Sequence, residues 1–404
     1  MQSGGENDGL GLRYLLCQYP IRSCIFRYLD TRSILNLCRT SSAFRGDIYS
    51  YLWDINEKLE RFFRNPTAFR TALGRADGLI AGSFALQFFA NRFWPESDLD
   101  INLRDGEGVE ILGKYLVEAE GYEMVRNQDL EVIDYDQFIR LRDIEKIITF
   151  AKSRDGNGSS PELKVQLVAT KNHPIVAILG TYYTSCIVNF ISWNKAYCIF
   201  PRATLLYGET VPLTEPCDYD VALHNKYSKR GWRVRTRSVN FKPGSANLLR
   251  GDLHPLGTCL NVDRRIGGSD TWTMKLGTAG VAPPPQPDSV LDYSSFSLWV
   301  TGGVQLDDPL ADGCRVTINI EIFKSPSLRY QHTYGSLRPF WSFVGDVLVG
   351  NLHGQLKTKM IRSTAESIIS TSWRVWDCEF VKPDGWDYWD DWIPEAFEAF
   401  NATS

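Results

Sequence analysis

The stretch LIAGSFALQFFANRFWPESDLDINL, residues 79–103, decides the fold that we predict for this chain. Its first three residues form a short apolar run, which is typical of a buried strand. A Gly82-Ser83 turn and an amphipathic segment at 84–91 follow. Polar and apolar residues alternate from Asp98 to Leu103, which indicates a second strand with Asp98 and Asp100 on the same face.

Two features of this stretch combine into a candidate binding site. A Gly-Ser turn that opens a helix presents free backbone N–H groups and the positive end of the helix dipole, which is a local geometry that holds phosphate. Two carboxylates two residues apart on a strand can share a divalent cation with that phosphate. The pattern therefore predicts Gly82 and Ser83 as the phosphate-binding pair and Asp98 and Asp100 as the metal-binding pair, which would also be the catalytic pair if the family resemblance described next is right.

The order of Gly82-Ser83 and then Asp98-Leu99-Asp100-Ile101 resembles the signature of the nucleotidyltransferase fold, the DNA polymerase beta-like superfamily. The resemblance implies that Asp98 and Asp100 bind one or two Mg²⁺ ions, which bridge the phosphates of a nucleoside triphosphate. Two simpler interpretations stay open. The Asp pair can be the exposed start of a strand with two solvated acids, and Ser83 can be an ordinary helix N-cap.

A longer similarity covers Tyr19 to Leu206. This part of the chain resembles a group of uncharacterised fungal proteins that combine an F-box-like N-terminus with the same core. The matching strings are RFF, FRTAL, LIAGSFALQFF and WPESDLDI, followed by KVQLV, IVNFIS and AYCIFPRATL.

The N-terminal helices carry the F-box part of this resemblance. An F-box is a helical motif that docks on a Skp-type adaptor of a cullin ubiquitin ligase, so the resemblance implies such a partner. The usual Leu-Pro pair at the start of the first helix is replaced here by Tyr19-Pro20. The alternative is a helical cap packed on the core. The residues concerned are Tyr19-Pro20, the run IFRYLD at 25–30, Ile34-Leu35, Leu37 and Trp53.

Active members of the superfamily have a third acid on a following strand, and this chain departs from that pattern. The matching strand is VQL at 165–167, with Gln166 in the position of the acid. An amide has no negative charge and is not a useful proton acceptor. The catalytic triad is therefore incomplete, which predicts a nucleotide-binding or protein-interaction module.

The alternative is an active Mg²⁺-dependent nucleotidyltransferase, which transfers a nucleotide from a nucleoside triphosphate to RNA, a protein or a small molecule. It needs an acid from elsewhere in the chain. Candidates for that acid are Asp134, Asp136 and Glu145.

Length and composition predict an α+β protein of several domains. With 404 residues and a 43% apolar share, the chain is long and apolar enough for two or three domains with real cores. We predict an F-box-like helical module at 10–63 and a nucleotidyltransferase-like mixed sheet with helices at 64–212. We also predict a β-rich C-terminal region at 213–404, with a Pro-rich exposed loop or linker at 281–289.

Hydrophobic periodicity places the main elements of these regions. A helix is predicted at 108–119, and two strands joined by an exposed loop are predicted at 144–150 and 163–169. In the C-terminal region, the apolar runs SFSLWV, CRVTINIEIF and DVLVGNL indicate further strands.

Two charged stretches suggest contacts with partners. In KYSKRGWRVRTR, at 226–237, alternating arginines on a strand would face a nucleic-acid backbone while Trp232 stacks on a base. The commoner alternative is a solvated strand face. The tail at 384–400 interleaves acidic and aromatic residues. It is either a partner-binding segment or, as the cost of exposed aromatics favours, packed on its own chain.

The remaining composition points to the interior of the cell. No apolar run approaches the roughly 18 residues that a membrane-spanning helix needs, and the first residues lack the pattern of a signal peptide. Nine cysteines without a C-x-x-C pair favour free thiols in a reducing compartment. We therefore predict a cytoplasmic or nuclear protein without a membrane partner.

Overall fold

The computed structural model describes residues 14, 18–40, 42–129, 143–153, 162–214, 218–234, 263–301, 315–335, 339–360 and 380–403. Within them the fold is α+β, with a helical N-terminus, twelve helices and a large mixed sheet. The predicted fold class is confirmed.

The helices and strands of these residues are numbered in chain order. The helices are α1 (Tyr19–Tyr28), α2 (Thr31–Thr40), α3 (Ser42–Leu52), α4 (Ile55–Leu59), α5 (Pro66–Arg75), α6 (Gly82–Ala90), α7 (Glu107–Glu118), α8 (Pro174–Thr181), α9 (Asp218–Lys229), α10 (Ser289–Tyr293), α11 (Pro339–Lys359) and α12 (Ile393–Thr403). The strands are β1 (Leu79–Ala81), β2 (Leu99–Arg104), β3 (Glu123–Asp129), β4 (Ile144–Lys152), β5 (Leu163–Thr170), β6 (Asn189–Ile191), β7 (Lys195–Cys198), β8 (Glu209–Thr210), β9 (Arg233–Val234), β10 (Asp263–Arg265), β11 (Trp272–Lys275), β12 (Ser295–Thr301), β13 (Arg315–Asn319), β14 (Glu321–Phe323) and β15 (His332–Tyr334).

Eight strands form the central sheet, in the order β11-β7-β6-β1-β2-β5-β4-β3. Neighbouring strands are antiparallel except for β2 and β5, which are parallel. The chain returns from β2 to β5 through α7 and the β3–β4 pair, so β5 is laid beside the strand that carries Asp98-Leu99-Asp100. The strands predicted at 144–150 and 163–169 are β4 and β5, and the helix predicted at 108–119 is α7.

The N-terminal helices pack on the core of the sheet. Phe26 and Ile34 belong to the same hydrophobic cluster as Ile101 of β2. The Thr31 hydroxyl donates to the Phe89 carbonyl at 2.9 Å. The segment predicted to be amphipathic is helix α6, and all nine of its residues are buried. That prediction was wrong because α6 lies between the sheet and the N-terminal helices, so no face of it is left for solvent.

Local sequence signals fix where the N-terminal helices begin. The Asp30 carboxylate accepts a hydrogen bond from the Ser33 N–H at 2.8 Å, and Asp54 caps α4 in the same way through the Asn56 N–H at 2.9 Å. Asn65 caps α5 by accepting from the Ala68 N–H at 3.0 Å. These caps satisfy amide groups that have no partner within the helix.

The region after residue 213 is partly strand and partly helix, and it is joined to the central sheet. β11 forms the outer edge of that sheet, with Trp272 opposite Cys198. β10, β12 and β13 form a separate three-stranded sheet that contains the predicted run SFSLWV. The limits predicted for the three domains stay a prediction.

The run DVLVGNL is helical, so the strand predicted there was wrong. It lies inside α11, whose buried face repeats every three or four residues. The apolar residues next to the run set this period, which the seven-residue run alone does not reveal. The buried residues that show the period are Trp341, Val344, Leu348, Leu352 and Leu356.

None of the described helices is long and apolar enough to cross a membrane.

The Pro-rich segment 281–289 is irregular up to α10, but it is fastened to the core. The Ala282 N–H donates to the Thr71 hydroxyl at 3.1 Å, and Gln286 donates to Asp77 at 2.7 Å. Its end is held by an ion pair between Lys195 of β7 and Asp288 at 2.8 Å. Of the predicted alternatives, an exposed loop or a linker, the segment is a loop: Ala282, Pro283 and Pro285 are exposed, but the segment binds core elements at both ends.

The aromatic and acidic tail packs on its own chain, as the cost of exposed aromatics favoured. Trp386 is buried and its indole N–H donates to the Pro326 carbonyl at 2.9 Å. The carboxylate of Asp390 accepts from the N–H groups of Arg329 and Tyr330, at 2.8 and 3.1 Å. These bonds replace the solvent that an exposed tail would have had.

Candidate functional site

Strands β2 and β5 bring Asp100 and Gln166 side by side. The two residues are partners in the parallel register, so their side chains lie on the same face with Cα atoms about 4.8 Å apart. The flanking residues Leu99 and Ile101 are fully buried on the opposite face. Asp98 immediately precedes β2 and shares the face of Asp100 through the two-residue period. Periodicity predicted the shared face of Asp98 and Asp100, and the resemblance led us to expect Gln166 beside them.

The Gly82 turn lies directly against the acid pair. Ala81 pairs with Asp100 in the antiparallel register of β1 and β2, and the chain then turns into α6 at Gly82. Gly82 has φ of +65°, which disfavours any residue with a Cβ atom. A Cβ atom there would also overlap Oδ2 of Asp100. Glycine at this position therefore lets the helix begin against the carboxylate.

Ser83 is buried and its hydroxyl contacts a helix from the next part of the chain. Its Oγ lies 2.9 Å from the Tyr227 hydroxyl of α9, and Nη1 of Arg230 lies 3.5 Å away. The N-cap of α6 is Ala81, which offers no side-chain bond. The N-cap interpretation of Ser83 is therefore wrong, and the side chain nearest the positive end of α6 is the Asp100 carboxylate.

Helix α9 and the turn that follows it bring two cations, Lys226 and Arg230, toward the acid pair. Lys226 is close enough to Asp98 and Asp100 to act on the pKa of both. Arg230 forms an ion pair with Glu96 at 2.6 Å and lies 3.9 Å from the ring centroid of Trp94. The basic residues were visible in the sequence, but nothing local indicated that they turn toward residues more than 120 positions earlier.

The acids are held in a partly desolvated, mutually repulsive pair. Both side chains are half-buried. The pKa of Asp100 is raised to about 6, mainly by burial and also by the neighbouring charge of Asp98, while Lys226 opposes the shift. Burial also raises the pKa of Asp98, against the cations Lys164, Lys226 and Arg61. Burial lowers the pKa of Lys226, and repulsion from Arg230 adds to that. A bound cation would relieve the repulsion between the two carboxylates and so stabilise their ionised forms.

Tyr182, which follows α8, lies beside the acid pair. Its hydroxyl oxygen accepts a long hydrogen bond from Nδ2 of Asn102 at 3.4 Å. Burial raises the pKa of this phenol far above its usual range, and the charge of Asp100 contributes to the shift. Tyr182 therefore stays protonated and is a neutral hydrogen-bonding group beside the acids.

The residues present fit a single Mg²⁺ ion shared with a phosphate. Mg²⁺ in proteins is held through one or two carboxylates together with water and substrate phosphates, which Asp98 and Asp100 can supply. In the parts of the chain that the structure describes, no group of three or more His, Cys, Asp or Glu side chains gathers into a metal site. The donor set is thus sufficient for a metal brought with a nucleotide.

The proposed substitutes for the third acid divide into two groups. Glu145 lies at the far end of β4, four residues from Thr149, the strand neighbour of Gln166. That is about 13 Å along the strand. Glu145 pairs with Lys171 at 3.8 Å, so it does not join the Asp pair. Asp134 and Asp136 lie outside the described residues.

The structure contradicts the role predicted for Trp232. Its side chain is buried, and its indole N–H donates to the Thr204 carbonyl at 2.8 Å. A ring held in this way cannot stack on a base. Strand β9 contains only Arg233 and Val234, while Arg235 and Arg237 lie outside the described residues.

A comparison with protein families finds no family model that matches this sequence, and a comparison with characterised proteins finds none that is similar to it. The function of the chain is therefore inferred from the geometry of the site.

Proposed function

We propose that this protein binds a Mg²⁺–nucleoside triphosphate between the acids of β2 and the cations of α9, and that it does so without efficient turnover. The observation that carries the proposal is the register of β1, β2 and β5. It brings Gly82, Asp100 and Gln166 next to one another, which supports a nucleotidyltransferase-like site in which an amide stands in place of the third acid.

Opposite charges on the two sides of the site support this ligand. Asp98 and Asp100 offer oxygen ligands for Mg²⁺. Lys226 and Arg230 offer charged N–H donors, which form strong hydrogen bonds with phosphate oxygens. The N-terminus of α6 adds the positive end of a helix dipole beside the acids. A triphosphate carrying Mg²⁺ has both the negative oxygens and the cation that this combination requires.

Gln166 limits what the bound nucleotide can undergo. Bound Mg²⁺ would neutralise charge on the phosphates. The acceptor hydroxyl still needs a group that orients it and takes its proton. Gln166 can accept a hydrogen bond through its carbonyl oxygen but cannot take a proton at neutral pH. The active enzyme therefore remains the alternative only if an acid outside the described residues reaches the site.

Isothermal titration calorimetry with a panel of nucleoside triphosphates, with and without Mg²⁺, tests the proposal. We expect Mg²⁺-dependent binding to the wild type and a loss of at least tenfold in affinity for Asp98→Asn/Asp100→Asn, because the variant keeps the shape but not the charge. Glu107→Gln/Glu110→Gln, on the first turn of α7, is the matched control. Absence of binding by a folded wild type contradicts the proposal.

We also propose that the N-terminal helices bind a Skp-type adaptor, which places the protein in the cytoplasm or nucleus. Exposed apolar side chains on α1 support this: Tyr19 is 67%, Ile21 40% and Tyr28 83% exposed. Ile21 and Tyr28 are seven residues apart and therefore lie on the same side of α1, where a partner could cover both.

A binding assay with a purified adaptor tests this second proposal. Replacement of all three α1 residues by serine should abolish binding, while Tyr207→Ser, at an exposed tyrosine elsewhere, should leave it unchanged. Failure of the wild type to bind any adaptor contradicts it, and the nucleotide proposal is unaffected.

A further inference from the structure

The connection between α6 and β2 has no regular structure, yet it ends on the first acid of the site. It runs from Asn91 to Asp98. Its first half is held by Gln87 of α6, whose side-chain oxygen accepts from the Trp94 N–H at 2.6 Å. Its second half, at 95–97, has one backbone–backbone hydrogen bond, from the Ser97 N–H to the Trp94 carbonyl at 3.1 Å.

Arg61 holds this second half from the N-terminal side of the molecule. Its guanidinium group donates to three carbonyl oxygens of the connection: Trp94 at 3.0 Å, Pro95 at 2.5 Å and Ser97 at 2.7 Å. The ring of Phe93 lies 5.4 Å from the guanidinium carbon. Only arginine has enough donors in a fixed planar fork to satisfy three carbonyls at once.

We propose that Arg61 is a positioning residue for Asp98, and that it couples the N-terminal helices to the metal site. Ser97, whose carbonyl is bound at 2.7 Å, directly precedes Asp98. Any movement of this peptide therefore moves the carboxylate. The metal part of this inference rests on the proposed function, whereas the anchoring of the connection does not.

Loss of the guanidinium group leaves three carbonyls without their donor. The carbonyls then bind water, and the connection becomes more mobile. Metal binding has to order the connection and the Asp98 carboxylate again, which costs conformational entropy and lowers the metal affinity. Residues that orient metal ligands typically change metal affinity by about 10–100-fold when replaced. A lysine at this position offers a point charge that reaches one carbonyl at a time, so it should restore only part of the effect.

Mn²⁺ binding, followed by electron paramagnetic resonance, tests the metal part. Wild type, Arg61→Met and Arg61→Lys are compared with the control Arg64→Met, an exposed arginine three residues further on. We expect affinity to fall about tenfold or more in Arg61→Met. Arg61→Lys should lie between the two, and the control should match the wild type. Equal affinity in all four proteins overturns the inference.

Hydrogen exchange in the absence of metal tests the anchoring part and separates it from the proposed function. Amides at 92–98 should exchange faster in Arg61→Met than in the wild type and in Arg64→Met, while β5 exchanges at the same rate in all. Unchanged exchange at 92–98 overturns the inference. If faster exchange accompanies a wild type that binds no Mn²⁺, then Arg61 positions the connection and the nucleotide proposal fails. If Arg61→Met does not fold, Arg61→Lys carries both measurements.

Discussion

Strands β2 and β5 are nearly the same in pattern and opposite in chemistry. Each has one polar residue between two fully buried apolar ones, Leu99-Asp100-Ile101 in β2 and Val165-Gln166-Leu167 in β5. The two central residues are direct neighbours and both are half-buried. The packing of the sheet therefore treats them alike, and the difference between them is one negative charge.

This difference teaches that fold and chemistry are fixed by different residues. The buried alternate positions hold the two strands in register, and a slip by one residue would turn every apolar side chain to the wrong face. The central position is free to carry an acid or an amide of similar size. The chemistry that the site can perform therefore depends on Gln166 and not on the architecture around it.

Giving β5 the charge of β2 should have the largest effect. In Gln166→Glu a third carboxylate joins Asp98 and Asp100, and we expect the affinity for Mg²⁺ to rise about tenfold or more because repulsion among three acids is relieved by the cation. Calorimetric titration with Mg²⁺ measures this. The neutral variant Gln166→Met is the control and should bind as the wild type does. An unchanged affinity in Gln166→Glu would mean that the face of β5 does not reach the metal.

The cation opposite β2 sharpens the same comparison. Lys226→Met should weaken the binding of a nucleoside triphosphate about tenfold, because a charged hydrogen bond to phosphate contributes roughly 1.5–3 kcal/mol. Lys229→Met, three residues on in the same helix and exposed, should bind as the wild type does. Titration of the three proteins with Mg²⁺–nucleotide decides. If both variants bind the nucleotide alike, Lys226 neutralises the charge of Asp98 and Asp100 and does not contact the phosphates.

A smaller effect concerns stability and its pH dependence. Asp100 has a pKa of about 6, raised from the value of 3.8, so its ionised form is disfavoured in the folded state. The cost is absent below about pH 4 and fully present above about pH 7. Asp100→Asn should therefore raise the melting temperature at pH 7.5 by a few degrees and leave it unchanged at pH 4. Thermal unfolding at both pH values, with Gln166→Asn as control, measures this. A lower melting temperature at pH 7.5 would contradict the desolvated acid pair.

Much of the site was predictable because it is written locally. The run from β1 through Gly82 to Asp100 is continuous in sequence, and its local pattern was enough to choose the residues of β1 and β2. Gln166 of β5 was chosen by the resemblance alone, and the structure supplies the register that joins it to Asp100.

The contribution of distant elements was not predictable. Lys226 and Arg230 were predicted only as part of a basic stretch, but α9 and the turn after it bring them toward β2. Trp232 was expected to stack on a base, whereas its indole N–H donates to the Thr204 carbonyl. Such contacts depend on tertiary packing, which outweighs local periodicity. Arg61 was missed for the same reason, because its three acceptors are backbone carbonyls and carry no sequence signal.

The most direct test of the central claim is the release of pyrophosphate from a bound nucleotide. Wild type and Gln166→Glu are each saturated with Mg²⁺ and the nucleoside triphosphate that binds best, and pyrophosphate is followed over time. We predict that the wild type binds the nucleotide but releases pyrophosphate no faster than Asp98→Asn/Asp100→Asn. Release by the wild type that disappears in this double variant would contradict the account, because it would show a complete catalytic site in spite of Gln166.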